Sequence, residues 1–125
     1  MLGDQDVQAI IAVKDINKGK QFYGQTLGLK QLSENPGGVQ YTSGDGRVFV
    51  YQSDTAGKGQ ASCASWGIDD LEAAVEVLKA KGVKFEHYPD MPGVTLEGDV
   101  HVMGPMKAAW FKDPDGNILH IGLKM

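Results

Sequence analysis

Two side chains could do chemistry because of their types and their places on predicted strands: Cys63 and His120. Cys63 and Ser65 are two residues apart on one predicted strand, so they project from the same face, and His120 lies in the last predicted strand. A thiol beside an imidazole can form a thiolate–imidazole nucleophile or hold a soft ion such as zinc or copper(I). No third residue is evident that would orient such a pair. The simpler alternatives are a small buried hydrophobe at position 63 and a hydrogen-bonded pocket histidine at position 120.

The same strand alternation predicts a concave surface for a small molecule. Its lining is mostly apolar with a few polar groups, as is typical of ligand sites, and consists of Gln8, Ile10, Val50, Gln52, Cys63, Ser65 and His120. Tyr88 and Met91 lie in a loop with two prolines and a glycine and are candidate lid residues, whereas Trp110 could face either side of its strand. This lining would suit an uncharged or partly aromatic organic molecule, and His120 would make binding depend on pH if it touched the ligand.

Two helices must lie on the other side of these strands. After Asp70 the apolar residues recur at i, i+3, i+4 and i+7, with an aspartate before them that can cap the helix and Gly82 after them to end it. A looser apolar stripe follows Asp15 and ends at Gly28. Gly19 is expected to weaken this first helix by up to about 1 kcal/mol relative to alanine.

A weak internal repeat predicts how helices and strands are arranged. The segment Val13-Lys14-Asp15-Ile16 recurs 55 positions later as Ile68-Asp69-Asp70-Leu71, each time between a predicted strand and a predicted helix. We therefore predict an α+β fold of two tandem βαβββ modules, 1–57 and 58–125, which form one domain shaped as an open half-barrel with a concave groove. The predicted strands are 7–13, 29–33, 39–43, 47–53, 61–68, 83–88, 100–111 and 117–124.

Composition excludes several functional classes. Sixteen acidic and twelve basic residues give a net charge of −4, which argues against a nucleic-acid partner because such a partner requires a basic surface. The longest aliphatic run, 9–13, is too short to cross a membrane. The acidic start does not resemble a signal peptide, and a single cysteine permits no intrachain disulfide, so a cytoplasmic location is expected.

The ordered set of motifs resembles the vicinal oxygen chelate superfamily, also called the glyoxalase, bleomycin-resistance and dioxygenase superfamily. The resemblance covers nearly the whole chain. In the first half it rests on Val13-Lys14-Asp15, Phe22-Tyr23 and Leu27-Gly28-Leu29; in the second it rests on Ile68-Asp69-Asp70-Leu71, Gly82-Val83-Lys84-Phe85-Glu86 and the run from Ala109 to Asn117 that contains Asp113-Pro114-Asp115-Gly116. The resemblance implies the fold but no particular reaction, since this fold serves several activities.

The resemblance also implies where a metal would be held. Metal-using members place one ligand on the first and one on the last strand of each half, usually two His or Gln and two Glu. Counting from the motifs assigns these places to Gln8, Val50, Cys63 and His120. Valine cannot ligate, and no carboxylate is present to balance a divalent charge or to act as a base. We therefore expect no metal and no cofactor.

Function follows from this reasoning as two competing expectations. The first is a protein that binds a small organic molecule in its groove without a metal, as in drug sequestration and antibiotic resistance of the bleomycin-resistance type. The acidic net charge would favour cationic ligands. The alternative is a metal-dependent lyase or isomerase of glyoxalase type, or a dioxygenase. In either case a homodimer is expected, because a half-barrel leaves sheet edges and an apolar rim to cover.

Overall fold

The computed structural model describes residues 1–124 and is α+β, with two open mixed sheets and two α-helices in that range. The chain divides into two compact units. One comprises Met1–Gly59 with Pro114–Asn117, and the other comprises Gln60–Asp113 with the segment that begins at Ile118. No helix among residues 1–124 combines the length and the apolar character that crossing a bilayer would require.

The first unit contains a four-stranded sheet. After a 3-10 turn, the elements are β1 (Ala9–Val13), α1 (Ile16–Lys20), a π-helical segment (Gln21–Thr26), β2 (Lys30–Asn35), β3 (Gly38–Ser43) and β4 (Gly46–Gln52). The strand order is β1-β4-β3-β2, in which β1 and β4 are parallel and the other pairs are antiparallel. This is the predicted βαβββ order.

Helix α1 begins where the sequence predicts, but Gly19 has a different role from the predicted one. The Asp15 carboxylate accepts hydrogen bonds from the amides of Asn17 and Lys18 and so caps the helix. A Cβ on Gly19 would lie 3.0 Å from a methyl of Val13. Glycine therefore lets the helix approach the sheet closely, which offsets its low helix propensity. The π-helical segment that follows was not predicted.

The pairing of β1 with β4 corrects the predicted facing of β4. Val50 pairs with Ile11, is fully buried, and lies under α1, where a Cβ on Gly19 would meet its side chain at 3.4 Å. Ile10 instead pairs with Phe49, so Val50 and Gln52 do not share a face with Ile10. The sequence could not show this, because apolar residues fill every position from 48 to 51 and leave no alternation to follow.

The second unit contains a six-stranded sheet. Its elements are β5 (Ser62–Ile68), α2 (Leu71–Ala80), β6 (Phe85–Glu86), β7 (Thr95–Glu97), β8 (Val100–Met103), β9 (Met106–Lys112) and β10 (Ile118–Leu123). The order is β5-β10-β9-β8-β7, and β6 pairs with another part of β9. The predicted strand 100–111 is wrong as a single element, because the chain reverses at Gly104, whose φ is 58°, and at Pro105.

The two faces of this sheet differ in their coverage. Helix α2 is capped by Asp70, whose carboxylate accepts the amide of Ala73 at 3.1 Å, and it packs against β9 and β10. The side chains of that face are almost fully buried: Ala109, Phe111, Leu119 and Ile121, together with Leu71 and Val75 of the helix. Residues that alternate with these on the strands project from the opposite side, here called the open face; they include Ser65, Trp110, His120 and Gly122.

The predicted Asp-Pro-Asp-Gly turn does more than reverse the chain. Residues Pro114–Asn117 belong to the first unit, where the Asp115 carboxylate accepts the amide of Lys14 at 3.1 Å. The side-chain amide of Asn117 donates to the carbonyl of Ala12 at 2.7 Å. The turn therefore fixes the end of β1 just before α1 begins.

Candidate functional site

A serine–histidine pair lies on the open face. Strand β10 runs parallel to β5 with His120 opposite Ser65, and the serine Oγ lies 2.6 Å from Nδ1 of the imidazole. Burial lowers the pKa of His120 from its ordinary value of 6.5. The ring is therefore neutral at neutral pH, and its orientation is set by the serine.

Trp110 lies on the same face, which settles the orientation that the sequence left open. It pairs with His120 across β9 and β10, and the two ring centroids are 5.2 Å apart. Its indole N–H donates to the Ser62 hydroxyl at 3.1 Å. With its one donor satisfied, the tryptophan presents an aromatic surface beside the imidazole.

A cavity of about 220 Å³ lies beside this pair of rings. Most of its lining is apolar, and three of the nine lining residues are methionines; the full set is Met91, Met103, Met106, Lys107, Ala108, Trp110, His120, Gly122 and Leu123. The Lys107 ammonium is engaged by the Glu72 carboxylate at 3.1 Å. His120 is thus the polar side chain that the lining offers to a ligand.

Gly122 leaves the space in which the His120 ring lies. A Cβ at this position would lie 2.9 Å from Cε1 and 3.4 Å from Nε2 of the imidazole. Because no side chain is present there, the ring can lie against the strand while Nδ1 reaches Ser65. The glycine is therefore part of the site although it carries no functional group.

The loop after β6 lies against the open face, as its predicted lid role requires. The Tyr88 ring centroid is 5.6 Å from that of Trp110 and 5.8 Å from that of His101. His101 is fully buried and packs edge-on against Trp110, with centroids 4.8 Å apart. Met91 lines the cavity. Tyr88 and Met91 lie beside the cavity, and their role as lid residues stays a prediction.

Cys63 does not form the activated pair that the sequence left open. Its thiol lies 3.5 Å from the carbonyl of Ile118, to which it donates, next to an irregularity in the β5–β10 register. Burial, and then the negative charge of Asp113, raise the pKa of this thiol above its ordinary value of 9.0. The protonated form is a poor nucleophile and a poor metal ligand. The partner of His120 is Ser65 instead.

The remaining predicted lining residues belong to the first unit. Gln8 accepts a hydrogen bond from the side chain of Gln40 at 3.2 Å, and Ile10 is 58% exposed. Gln52 accepts the amide of Ile16 at the start of α1 at 3.4 Å, which places it on the helix side of the sheet with Val50. Val50 and Gln52 thus lie on the side of the sheet opposite to Ile10.

The residues at the four metal positions do not fit a divalent metal ion. Val50 is an apolar side chain buried under α1, and the thiol of Cys63 donates to the carbonyl of Ile118. Nδ1 of His120 is engaged by Ser65, and Gln8 is a weak neutral donor. Among residues 1–124, no three His, Cys, Asp or Glu side chains come together as a group that could hold a metal ion. This donor set supplies no carboxylate to neutralise the charge.

Sequence reasoning missed three residues of this region. Met103 and Met106 line the cavity, and His101 lies buried beneath Tyr88. All three lie where the single predicted strand is in fact a hairpin, so their facing depended on a turn that was not predicted. The Gly104-Pro105 pair was the signal that could have revealed it.

Comparison with known proteins supports the fold. A family model described as the Glyoxalase/Bleomycin resistance protein/Dioxygenase superfamily matches residues 7–121. A glyoxalase family protein from Enterococcus faecalis is similar with a TM-score of 0.71 and 18% identity over 98% of this chain and 99% of that one. A glyoxalase/bleomycin resistance protein/dioxygenase from Alicyclobacillus acidocaldarius has a TM-score of 0.69 and 17% identity over 98% and 92%.

A lactoylglutathione lyase from Agrobacterium tumefaciens is also similar, with a TM-score of 0.68 and 16% identity over 95% of this chain and 92% of that one. At such identities the solved structures agree in fold alone. The family match, in contrast, extends over nearly the whole sequence, from before β1 into β10. The chain belongs to the glyoxalase/bleomycin resistance protein/dioxygenase superfamily.

Proposed function

We propose that this protein binds a small planar organic molecule in the cavity of the second unit. The observation that carries the proposal is the lining: a tryptophan and three methionines surround one neutral, oriented imidazole. An apolar pocket with few, well-placed polar groups is the usual form of a small-molecule site. Methionine thioethers adapt their shape and make favourable contacts with aromatic rings.

Cavity size limits the ligand. A closed apolar cavity of about 150 Å³ holds a benzene molecule, whereas pockets for drug-sized ligands begin at about 300 Å³. The cavity here is about 220 Å³. It therefore fits a one- or two-ring compound, or the ring portion of a larger molecule that extends into solvent.

Polarity of the site favours a ligand with one polar ring atom. Because Ser65 can donate to Nδ1 of His120 or accept from it, Nε2 is a donor in one tautomer and an acceptor in the other. Lys107 is paired with Glu72, so the lining offers no unpaired charge. A neutral aromatic heterocycle fits best, and the net charge of −4 would attract a cationic one from a distance.

Sequestration of such a compound requires no reaction. Metal-using members of this family usually hold the ion with two carboxylates and two His or Gln, and Gln8, Val50, Cys63 and His120 include no carboxylate and one side chain, valine, that cannot ligate. The binding function is therefore the one that the side chains support, and drug resistance by sequestration is its biological form.

Quinoline and indole are suitable probes, because one presents a ring acceptor and the other a ring donor. In protein labelled with [methyl-13C]methionine, we expect either compound to shift the methyl signals of Met91, Met103 and Met106. The methyl of Met1, which is 90% exposed, should not move. Saturable shifts at the three cavity methyls with none at Met1 would support the proposal. Shifts at none of the three would refute it.

A matched pair of variants tests the location. Ala108 lines the cavity, so Ala108→Leu should fill part of it and weaken binding of the probe by at least about tenfold. Ala80→Leu makes the same change at an exposed position of α2 and should bind as the wild type does. Equal affinity in the two folded variants would place the probe elsewhere and contradict the proposal.

A further inference from the structure

We propose that His101 is the positioning residue that holds the segment Tyr88–Val94 over the cavity, through its unprotonated Nε2, and so controls entry of the ligand. This proposal rests on the proposed function of the cavity, although its central measurement requires no ligand. It assigns a role to a buried histidine that does not itself line the cavity.

The anchoring bond is unusual because a backbone amide donates to a side-chain nitrogen. The N–H of Tyr88 lies 2.9 Å from Nε2 of His101, 13 residues further along the chain. A backbone amide can only donate, so Nε2 must be the acceptor and the neutral ring carries its proton on Nδ1. The geometry therefore requires one particular tautomer of one particular residue.

The rest of the segment is connected to Tyr88 by two hydrogen-bonded turns. The amide of Met91 donates to the carbonyl of Tyr88 at 3.3 Å, and the amide of Val94 donates to the carbonyl of Met91 at 3.2 Å. Two successive turns thus run from Tyr88 to Val94, and Met91 at their junction lines the cavity. Where Tyr88 is held decides where the Met91 side chain lies.

One long-range hydrogen bond joins the segment to the sheet. It runs from the Tyr88 amide to His101, whereas the bonds of Met91 and Val94 are local turns within the segment. The Tyr88 ring adds contacts with Trp110 and with His101 itself. Loss of one acceptor should therefore free the segment locally without unfolding the sheet.

Protonation of His101 would remove the acceptor. Two titratable groups face this ring: His87, whose centroid is 6.5 Å away, and Asp99, which is already bound to His87 at 2.7 Å and to Lys79 of α2 at 2.9 Å. The other neighbours, Tyr88 and Trp110, are uncharged at neutral pH. Burial is the largest cause that lowers the pKa of His101; His87 lowers it further, whereas Asp99 and nearby carbonyls oppose the shift. The hydrogen bond from the Tyr88 amide to His101 is therefore kept at neutral pH and lost in acid.

The first test measures exchange of the Tyr88 amide hydrogen in ligand-free protein by NMR. His101→Leu removes the acceptor, and we expect exchange of that amide to become about tenfold faster. His101→Gln supplies an oxygen that can accept the bond and should restore most of the protection. His87→Leu is the control for loss of a nearby imidazole that does not accept this bond; because residue 87 precedes the measured amide, its Tyr88 rate is compared after correction for the intrinsic effect of the new side chain. Unchanged Tyr88 exchange in folded His101→Leu would overturn the proposal.

The second test uses pH and the wild-type protein, so it does not depend on whether His101→Leu folds. As pH falls, the Met91 methyl signal should move together with the ring signals of His101, with the same midpoint. In His101→Gln the part of the Met91 shift that follows the His101 ring should disappear, and any shift that remains should follow the ring signals of His120, which lines the same cavity. A Met91 signal that follows His87 instead, or that titrates equally in His101→Gln, would refute the anchor.

Probe binding separates failure of the anchor from failure of the proposed function. If both hold, His101→Leu should change the rates at which quinoline enters and leaves the cavity, while His101→Gln stays near wild type. If quinoline fails to bind any form while Tyr88 exchange responds as expected, the role of His101 is supported and the proposed binding function is refuted. If quinoline binds but Tyr88 exchange does not respond, the role of His101 is refuted and the binding function is supported.

Discussion

Replacing Gly122 by alanine should disturb His120 much more than it disturbs the fold. The added Cβ would lie 2.9 Å from Cε1 of the ring, whereas ordinary contacts begin at 3.4 Å. The ring must therefore retreat by about half an ångström, the difference between these two distances. Because Nδ1 is held by Ser65 at 2.6 Å and the other side is occupied by Trp110, the retreat strains the hydrogen bond.

Two opposing free energies determine the effect on stability. Weakening one neutral hydrogen bond costs about 0.5–1.5 kcal/mol. Exchanging glycine for alanine inside a strand recovers about 0.5–1 kcal/mol of conformational entropy. The net change in the free energy of unfolding of Gly122→Ala should therefore be within about 1 kcal/mol of zero. Binding of quinoline, in contrast, should weaken by about tenfold, because both the methyl group and the displaced ring enter the cavity.

The control for this experiment is Gly67→Ala. Gly67 pairs with Gly122 across β5 and β10, but a Cβ there would meet only the flexible side chain of Lys124, at an ordinary 3.5 Å. Urea unfolding and the NMR titration of the His120 ring should be measured for both variants. A shifted His120 titration in Gly122→Ala alone is the expected result. Identical His120 signals in both variants would show that Gly122 does not seat the ring.

Three further predictions concern stability and can be read from unfolding experiments. Val50→Glu places an unpaired carboxylate beneath α1 and should cost at least about 3 kcal/mol without creating affinity for divalent ions, whereas the exposed Val77→Glu should cost little; equal stability of the two would contradict the burial of Val50. Asp70→Ala removes the cap of α2 and should lower the free energy of unfolding by about 1 kcal/mol. The control Asp69→Ala changes an aspartate that does not cap the helix and should be as stable as the wild type. Because folding lowers the pKa of His101 from 6.5, the contribution of neutral His101 to the free energy of unfolding is complete above pH 6.5 and is lost as pH falls below it. A free energy of unfolding that does not decrease between pH 7 and 5, or that decreases equally in His101→Gln, would contradict this assignment.

Local patterns predicted the elements whose signals are contained in a few neighbouring residues. Helix α2 combines a capping aspartate with apolar residues at helical spacing, and it begins at Leu71 as expected. Strand β5 forms where its alternation predicts, and pairing with β10 then brought Ser65 to His120. The family resemblance, which rests on ordered motifs, is confirmed by the match over residues 7–121.

The sequence by itself determined the fold class, the order of helices and strands in the first unit apart from its π-helical segment, and the start of α2, because helix caps, turns and helical spacing are local properties of the chain. Only the tertiary structure decided that Val50 lies under α1, that the hairpin at Gly104 brings Met103 and Met106 to the cavity, and that a buried imidazole accepts the amide of Tyr88. Each of these depends on the register between segments distant along the chain. A one-residue difference in register moves a side chain to the other face of a sheet, and no local pattern encodes that choice when consecutive residues are all apolar.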